Sequence, residues 1–153
     1  MNLDRIEKTI TLRAPRAQVW RAIADAAEFG EWFGMKLDGA FAAGERVSGR
    51  ITIPKYDHLT LEMQVEQIVP DRLFSYRWHP YAIDSAVDYS QEPMTLVEFH
   101  LEDVPGGTRL TVIESGFAAI PAARRETAFR MNEGGWASQI VNIEKYVSAK
   151  ATQ

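Results

Sequence analysis

The first dozen residues set a pattern that recurs along most of the chain. Ile6, Lys8, Ile10 and Leu12 fall on one side of a period-two alternation, with Glu7, Thr9, Thr11 and Arg13 on the other. Over residues 3–13 this predicts a strand with one face turned to a core. Pro15 follows where a first helical residue tolerates proline, because its missing N–H would have no intrahelical partner. Val19, Trp20 and Ile23 then recur at helical spacing, and after the break at Gly30 the group Phe29, Trp32 and Phe33 predicts a second short helix ending before Gly34.

Period two returns after Gly44. Val47, Gly49, Ile51 and Ile53 share one face, Pro54 to His58 reads as a turn, and Leu59, Leu61, Met63 and Val65 alternate with polar residues. Pro70-Asp71 signals another turn, and Leu73 to His79 reads as a strand. Met94 to Glu102 carries Val97, Phe99 and Leu101 on its apolar side, and Pro105-Gly106-Gly107 is a hairpin signal before a strand from Arg109 to Ser115. About six strands joined largely by tight turns predict an antiparallel meander.

From Pro121 to about Ala149 the period changes. Phe129, Asn132, Trp136, Ile140, Ile143 and Val147 step by three or four and share one helical face. A helix of that length is on the order of 40 Å long, enough to cross the sheet. The predicted class is α+β: a curved antiparallel sheet, two short helices after the first strand and a long closing helix.

Composition narrows the function. A chain of 153 residues suits a single domain over 1–153. The absence of cysteine removes disulfides, thiolate metal ligands and a cysteine nucleophile. The formal net charge of -4 and the scattered basic residues argue against nucleic acid, and the adjacent Arg124 and Arg125 read as a solvated helix face. The opening Met1 to Lys8 is charged, unlike a secretory signal, and no apolar run approaches the roughly 20 residues needed to span a bilayer. A cytoplasmic protein with no membrane span is expected. No phosphate loop, dinucleotide fingerprint or Gly-x-Ser-x-Gly elbow is present. His58, His79 and His100 lack ligand spacing, so neither cofactor nor metal is expected.

Five local motifs then add a resemblance. They are Ala14-Pro15-x-x-x-Val19-Trp20-x-Ala22-Ile23, Phe29-x-x-Trp32-Phe33 and Val69-Pro70-x-x-Leu73-x-x-Tyr76-x-Trp78, followed by Gly107-Thr108-x-Leu110-Thr111-Val112-x-Glu114-Ser115-Gly116-Phe117 and Gly135-Trp136. Together, in this order, they resemble the START-like (SRPBCC, helix-grip) superfamily, and within it the activator of heat-shock-protein ATPase homologue-like family. The resemblance implies a sheet gripping the last helix with a ligand cavity between them. The side chains that would line it are Trp32, Phe33, Met63, Tyr76, Trp78, Phe99, Glu114, Phe117, Phe129, Asn132, Trp136 and Ile140. At ordinary helical and strand spacing, aromatics of this kind are more often plain core.

Four features bear on what such a cavity would do. Glu114 shares parity with Leu110 and Val112, so an inward carboxylate is a candidate general acid or base; the alternative is a wet, ion-paired group at the mouth, with an arginine such as Arg77. Asn132 interrupts the apolar stripe of the last helix, where a buried amide needs a partner. Gly134 and Gly135 each cost roughly 0.8–1 kcal/mol against alanine inside that helix, which suits a bend in the helix, a close approach to its backbone, or the packing of Trp20 or a strand nearby. The aperiodic stretch from His79 to Pro93 is long enough to serve as a lid. The leading expectation is binding of a small apolar or aromatic molecule. The alternatives are an enzyme of the same fold (cyclase, hydratase or hydrolase) using Glu114, with Asn132 orienting the substrate, and a protein-interaction module activating a chaperone ATPase.

Overall fold

A computed structural model describes residues 4–84 and 86–151. The beginning of the first predicted strand, at residue 3, and Ser85 within the 79–93 stretch lie outside the described residues. Strands β1 (Arg5–Leu12), β2 (Met35–Leu37), β3 (Arg46–Ile51), β4 (Thr60–Val69), β5 (Leu73–Trp78), β6 (Thr95–Val104) and β7 (Gly107–Ser115) form one sheet. Its order is β1-β7-β6-β5-β4-β3-β2, every neighbour antiparallel. Helices α1 (Arg16–Ala24) and α2 (Ala26–Phe33) follow β1, and α3 (Ala122–Ala151) closes the chain. This is the helix-grip α+β fold.

The strands form where side chains alternate between core and solvent. In β6, Thr95, Val97, Phe99 and Leu101 are buried while Leu96, Glu98 and His100 are partly exposed on the other side. A shift of register between Val65 and Gln67 breaks the β4–β5 ladder. Such bulges bend a strand. Seven strands replace the six expected. The addition is β2, three residues paired to β3 from Met35↔Ile51 to Leu37↔Gly49. It is positioned by the end of α2: Gly34 caps that helix at φ 89°, a left-handed conformation that favours glycine. Gly30 admits the strand, because a Cβ there would lie 2.1 Å from the Met35 carbonyl oxygen.

The apolar stripe of α3 lies over the sheet, with Phe129, Trp136, Ile143 and Val147 buried. Three polar ties fix α3 to the short helices: Gln139 Nε2 donates to the Phe33 carbonyl (2.9 Å), Gln18 Nε2 to the Val147 carbonyl (3.2 Å), and Tyr146 Oη to Glu28 (2.9 Å). Beneath the helix the space is filled by aromatic rings. Phe29 contacts Trp32 and Phe33 at centroid distances of 4.8 and 5.0 Å, Phe74 and Phe99 stack at 6.1 Å, and Trp136 reaches Phe99 at 5.8 Å. Offset and edge-to-face contacts of this kind add to what burial alone gives. The space between sheet and helix, where a cavity was expected, is therefore largely occupied by side chains, and the open space that borders α3 lies on one flank. Among the described residues no helix is long and apolar enough to cross a membrane.

Candidate functional site

That flank is a cleft of two lobes meeting at Trp78 and Asn132. One lobe, about 180 Å³, lies between the end of β3, the 52–59 turn, the start of β4 and the segment after β5; Ile51, Tyr56, Leu61, His79, Tyr81 and Ile83 form its walls. The other, about 140 Å³, is bounded by Phe33, Gly135, Trp136 and Gln139. A larger hollow of about 590 Å³ lies around Val69, Leu73, His100, Glu102, Thr111 and Ile113. His100, Thr111 and Ile113 have the opposite parity to the buried Phe99 and Val112, so that hollow is an open depression on the sheet face turned away from α3.

Behind the junction of the two lobes sits Glu114, fully buried on β7. Its Oε2 accepts from Trp78 Nε1 (2.8 Å) and Thr95 Oγ1 (2.5 Å), its Oε1 accepts from Trp136 Nε1 (2.8 Å), and Asn132 Nδ2 reaches both oxygens (3.0 and 3.2 Å). Indole and amide N–H groups can only donate, and a carboxylate can only accept. The match is complete on both sides. Strand pairing supplies the position: Glu114 lies opposite Val97 on β6 and Ile6 on β1, which turns its side chain toward α3. The expectation of a wet carboxylate paired with Arg77 is corrected here. Arg77 bonds Glu66 (2.8 Å) near the surface, and Glu114 is dry and held by uncharged donors. Nor does Glu114 border either lobe; Trp78, Asn132 and Trp136 stand between. The arrangement organises three wall residues from behind.

The candidate residues fall into distinct groups. Phe33, Trp78, Asn132 and Trp136 line the cleft. Trp32, Met63, Tyr76 and Phe99 are buried in the core, and Trp32 Nε1 is committed to the Ala22 carbonyl (2.7 Å). Phe117 and Phe129 pack edge to face on each other at 5.2 Å, away from both lobes. Ile140 packs with Trp32, Trp136 and Ile143 at the edge of the core, where no space large enough for a water molecule remains. Residues that the sequence did not single out, Ile53, Tyr56, Ile83 and Gln139, complete the walls. The available signal was the pair Ile53 and Tyr56, apolar side chains flanking and inside a turn.

The 79–93 segment supplies His79, Tyr81, Ala82 and Ile83 to one wall. It is fastened to α3 by Arg124, whose Nε and Nη2 donate to one Glu92 oxygen (2.8 and 2.6 Å) and whose Nη1 donates to the Pro80 carbonyl (2.8 Å). The guanidinium also lies 4.8 Å from the centre of the Tyr89 ring. Arg124 is thus a clamp, and not the solvated face residue that the sequence suggested.

Tyr76 is fully buried, and its hydroxyl finds no hydrogen-bond partner among the described residues. Burial, and secondarily the Glu114 charge, raise its pKa well above the usual tyrosine range. An unfolded chain loses that proton near pH 10, whereas the folded one keeps it. The unfolded state then binds fewer protons, so stability falls as pH rises past about 10. Tyr146, also raised mainly by burial, adds to the same decline. Tyr76→Phe is expected to gain about 1 kcal/mol at neutral pH by removing an unpaired buried hydroxyl and to flatten part of the alkaline decline. Denaturant unfolding at pH 7 and 10.5 measures both; a lowered midpoint at pH 7 would refute the unpaired hydroxyl.

Residues 13–148 match the family described as Activator of Hsp90 ATPase homolog 1-like protein. The chain belongs to this family. No protein of curated function matches it significantly in sequence. Among solved structures, a protein from Mesorhizobium loti is 24% identical over 95% of this chain and 97% of that one, with a TM-score of 0.75. A protein from Arthrobacter aurescens is 16% identical over 97% and 90%, with a TM-score of 0.76. The Aha1 dimer from Colwellia psychrerythraea is 15% identical over 94% and 95%, with a TM-score of 0.69. At these identities the likeness speaks to the shared fold.

Proposed function

We propose that this protein binds a small, largely apolar molecule in the two-lobed cleft on the flank of α3. The supporting observation is the buried Glu114, which fixes Trp78, Trp136 and Asn132 as a preformed wall. Preorganised apolar walls with few polar groups are the usual character of small-molecule sites. Size then limits the ligand. An apolar cavity of about 150 Å³ holds benzene, so lobes of about 180 and 140 Å³ suit one ring each rather than a long acyl chain. The enzyme alternative is weaker, because a general acid or base must reach the proton it moves and Glu114 is screened by its own donors. A cytoplasmic location fits the cysteine-free sequence.

The four tryptophans provide a test. Their indole N–H resonances are separate reporters, Trp78 and Trp136 at the cleft, Trp20 and Trp32 away from it. Titration with naphthalene should shift the Trp78 and Trp136 signals and leave the other two in place. No change at any indole up to the solubility limit of naphthalene would remove the binding reading.

A further inference from the structure

Resting on that reading of the cleft, we infer that its ligand is a planar aromatic molecule bearing a hydrogen-bond donor, a hydroxyl or N–H, that is received by Asn132 Oδ1 with the ring against the bare helix backbone at Gly135. The first part follows from the orientation of one amide. Asn132 Nδ2 faces the two Glu114 oxygens at 3.0 and 3.2 Å. The reverse orientation would set the amide oxygen against a carboxylate, so the partner itself decides which end points inward. The oxygen is left directed away from Glu114, on a residue that borders both lobes. It accepts no hydrogen bond from the described residues.

Each remaining polar side-chain atom of the smaller lobe already makes a hydrogen bond within the protein. Both indole N–H groups donate to Glu114, and Gln139 donates to the Phe33 carbonyl while accepting from Asn142 Nδ2 at 3.0 Å. Asn132 Oδ1 is the side-chain polar atom of the lobe that makes no hydrogen bond with the described residues, and as an acceptor it gains one only from a donor. Three aromatic side chains, Phe33, Trp78 and Trp136, line the same lobe, which favours a flat ring over a bulky aliphatic group.

The second part rests on the glycines. A Cβ built at Gly134 or Gly135 meets nothing within 4 Å. Neither glycine is required by the packing of Trp20 or a strand, an alternative that the sequence left open. Only Gly135 borders the lobe. A mid-helix glycine with no protein neighbour is disfavoured by roughly 0.8–1 kcal/mol against alanine, and leaving the backbone bare there enlarges the lobe where a ring would rest.

The two glycines give a matched pair of variants, read with 2-naphthol and 2-methoxynaphthalene as probes through the Trp78 and Trp136 indole resonances. For the native chain 2-naphthol should bind about tenfold more tightly, since methylation removes the donor and leaves the rings. Gly135→Ala should raise the melting temperature yet weaken 2-naphthol binding tenfold or more. Gly134→Ala should raise the melting temperature and leave binding unchanged. Equal affinity for the two probes overturns the donor assignment while the cleft survives as an apolar site. Unchanged 2-naphthol binding in Gly135→Ala overturns the contact with the helix backbone. If neither probe moves the two indoles, the cleft is not a ligand site and the inference falls with it.

Discussion

Glu114→Gln is expected to destabilise the protein by about 3 kcal/mol, although it alters no more than one heavy atom. The reason lies in what the partners can do. Trp136 donates to one carboxylate oxygen and Trp78 to the other. Glutamine keeps one oxygen, so its NH2 group must face one of the two indole N–H groups. Asn132 can turn its amide and Thr95 its hydroxyl; an indole has no acceptor to offer. One buried N–H is stranded, at about 1–3 kcal/mol, and a charge-assisted bond of about 1.5–3 kcal/mol is lost with it. Relief of the desolvated charge offsets part of the sum, which keeps the expected loss near 3 kcal/mol. For a chain of this size that is a fall in melting temperature of roughly 6–12 °C. Glu114→Leu strands all four donors and should fall further. Thermal unfolding followed by circular dichroism decides the matter, and a glutamine variant as stable as the native chain would show that the ring of donors contributes nothing. The outcome also bears on catalysis: a loss of turnover in this variant would have to be separated from a loss of folded protein.

The second large effect is local. Arg124→Ala should loosen the 79–93 segment by about 2 kcal/mol, equivalent to roughly a thirtyfold rise in its opening, with a much smaller change in global melting. Both side chains of the Arg124–Glu92 pair are about one-fifth exposed, so the pair is screened less than a surface bridge. Removing the arginine also leaves Glu92 half-buried without its cation and releases the Pro80 carbonyl. Hydrogen exchange resolved by segment should show faster exchange within 79–93 and unaltered protection in β6 and β7. Arg124→Lys restores the charge without the fork that reaches Glu92 and Pro80 together, and should recover only part of the protection. If exchange in the segment is the same with and without Arg124, the clamp is incidental.

The contrast between these residues explains what the sequence could disclose. The strands and α3 were legible because burial imposes a period: alternation in β6, steps of three and four from Phe129 to Val147. β2 was not, since three residues carry no period and Met35–Leu37 is a strand because β3 lies beside it. The inward direction of Glu114 could be read from its parity with Leu110 and Val112. Its partners could not, because Trp78, Thr95, Asn132 and Trp136 come from three separate elements or their margins and meet only in the folded chain. The same limit applied to Arg124, whose partners lie 32 to 44 positions earlier in a stretch without periodicity. Core and lining aromatics share one pattern, so Phe117 and Phe129 could not be told from Phe33 and Trp136 before their neighbours were known.

The Glu114 ring has a consequence for how new selectivity can arise in this protein. Trp78, Trp136 and Asn132 are all bound to the one carboxylate, Trp78 and Trp136 to opposite oxygens and Asn132 to both, so altering any one disturbs the seating of the other two, and the inner surface resists piecemeal change. Ile53, Tyr56 and Ile83 border the cleft without belonging to that ring. Diversification is thereby channelled to the rim, where one residue can be exchanged while the chemistry presented at the base stays as it was.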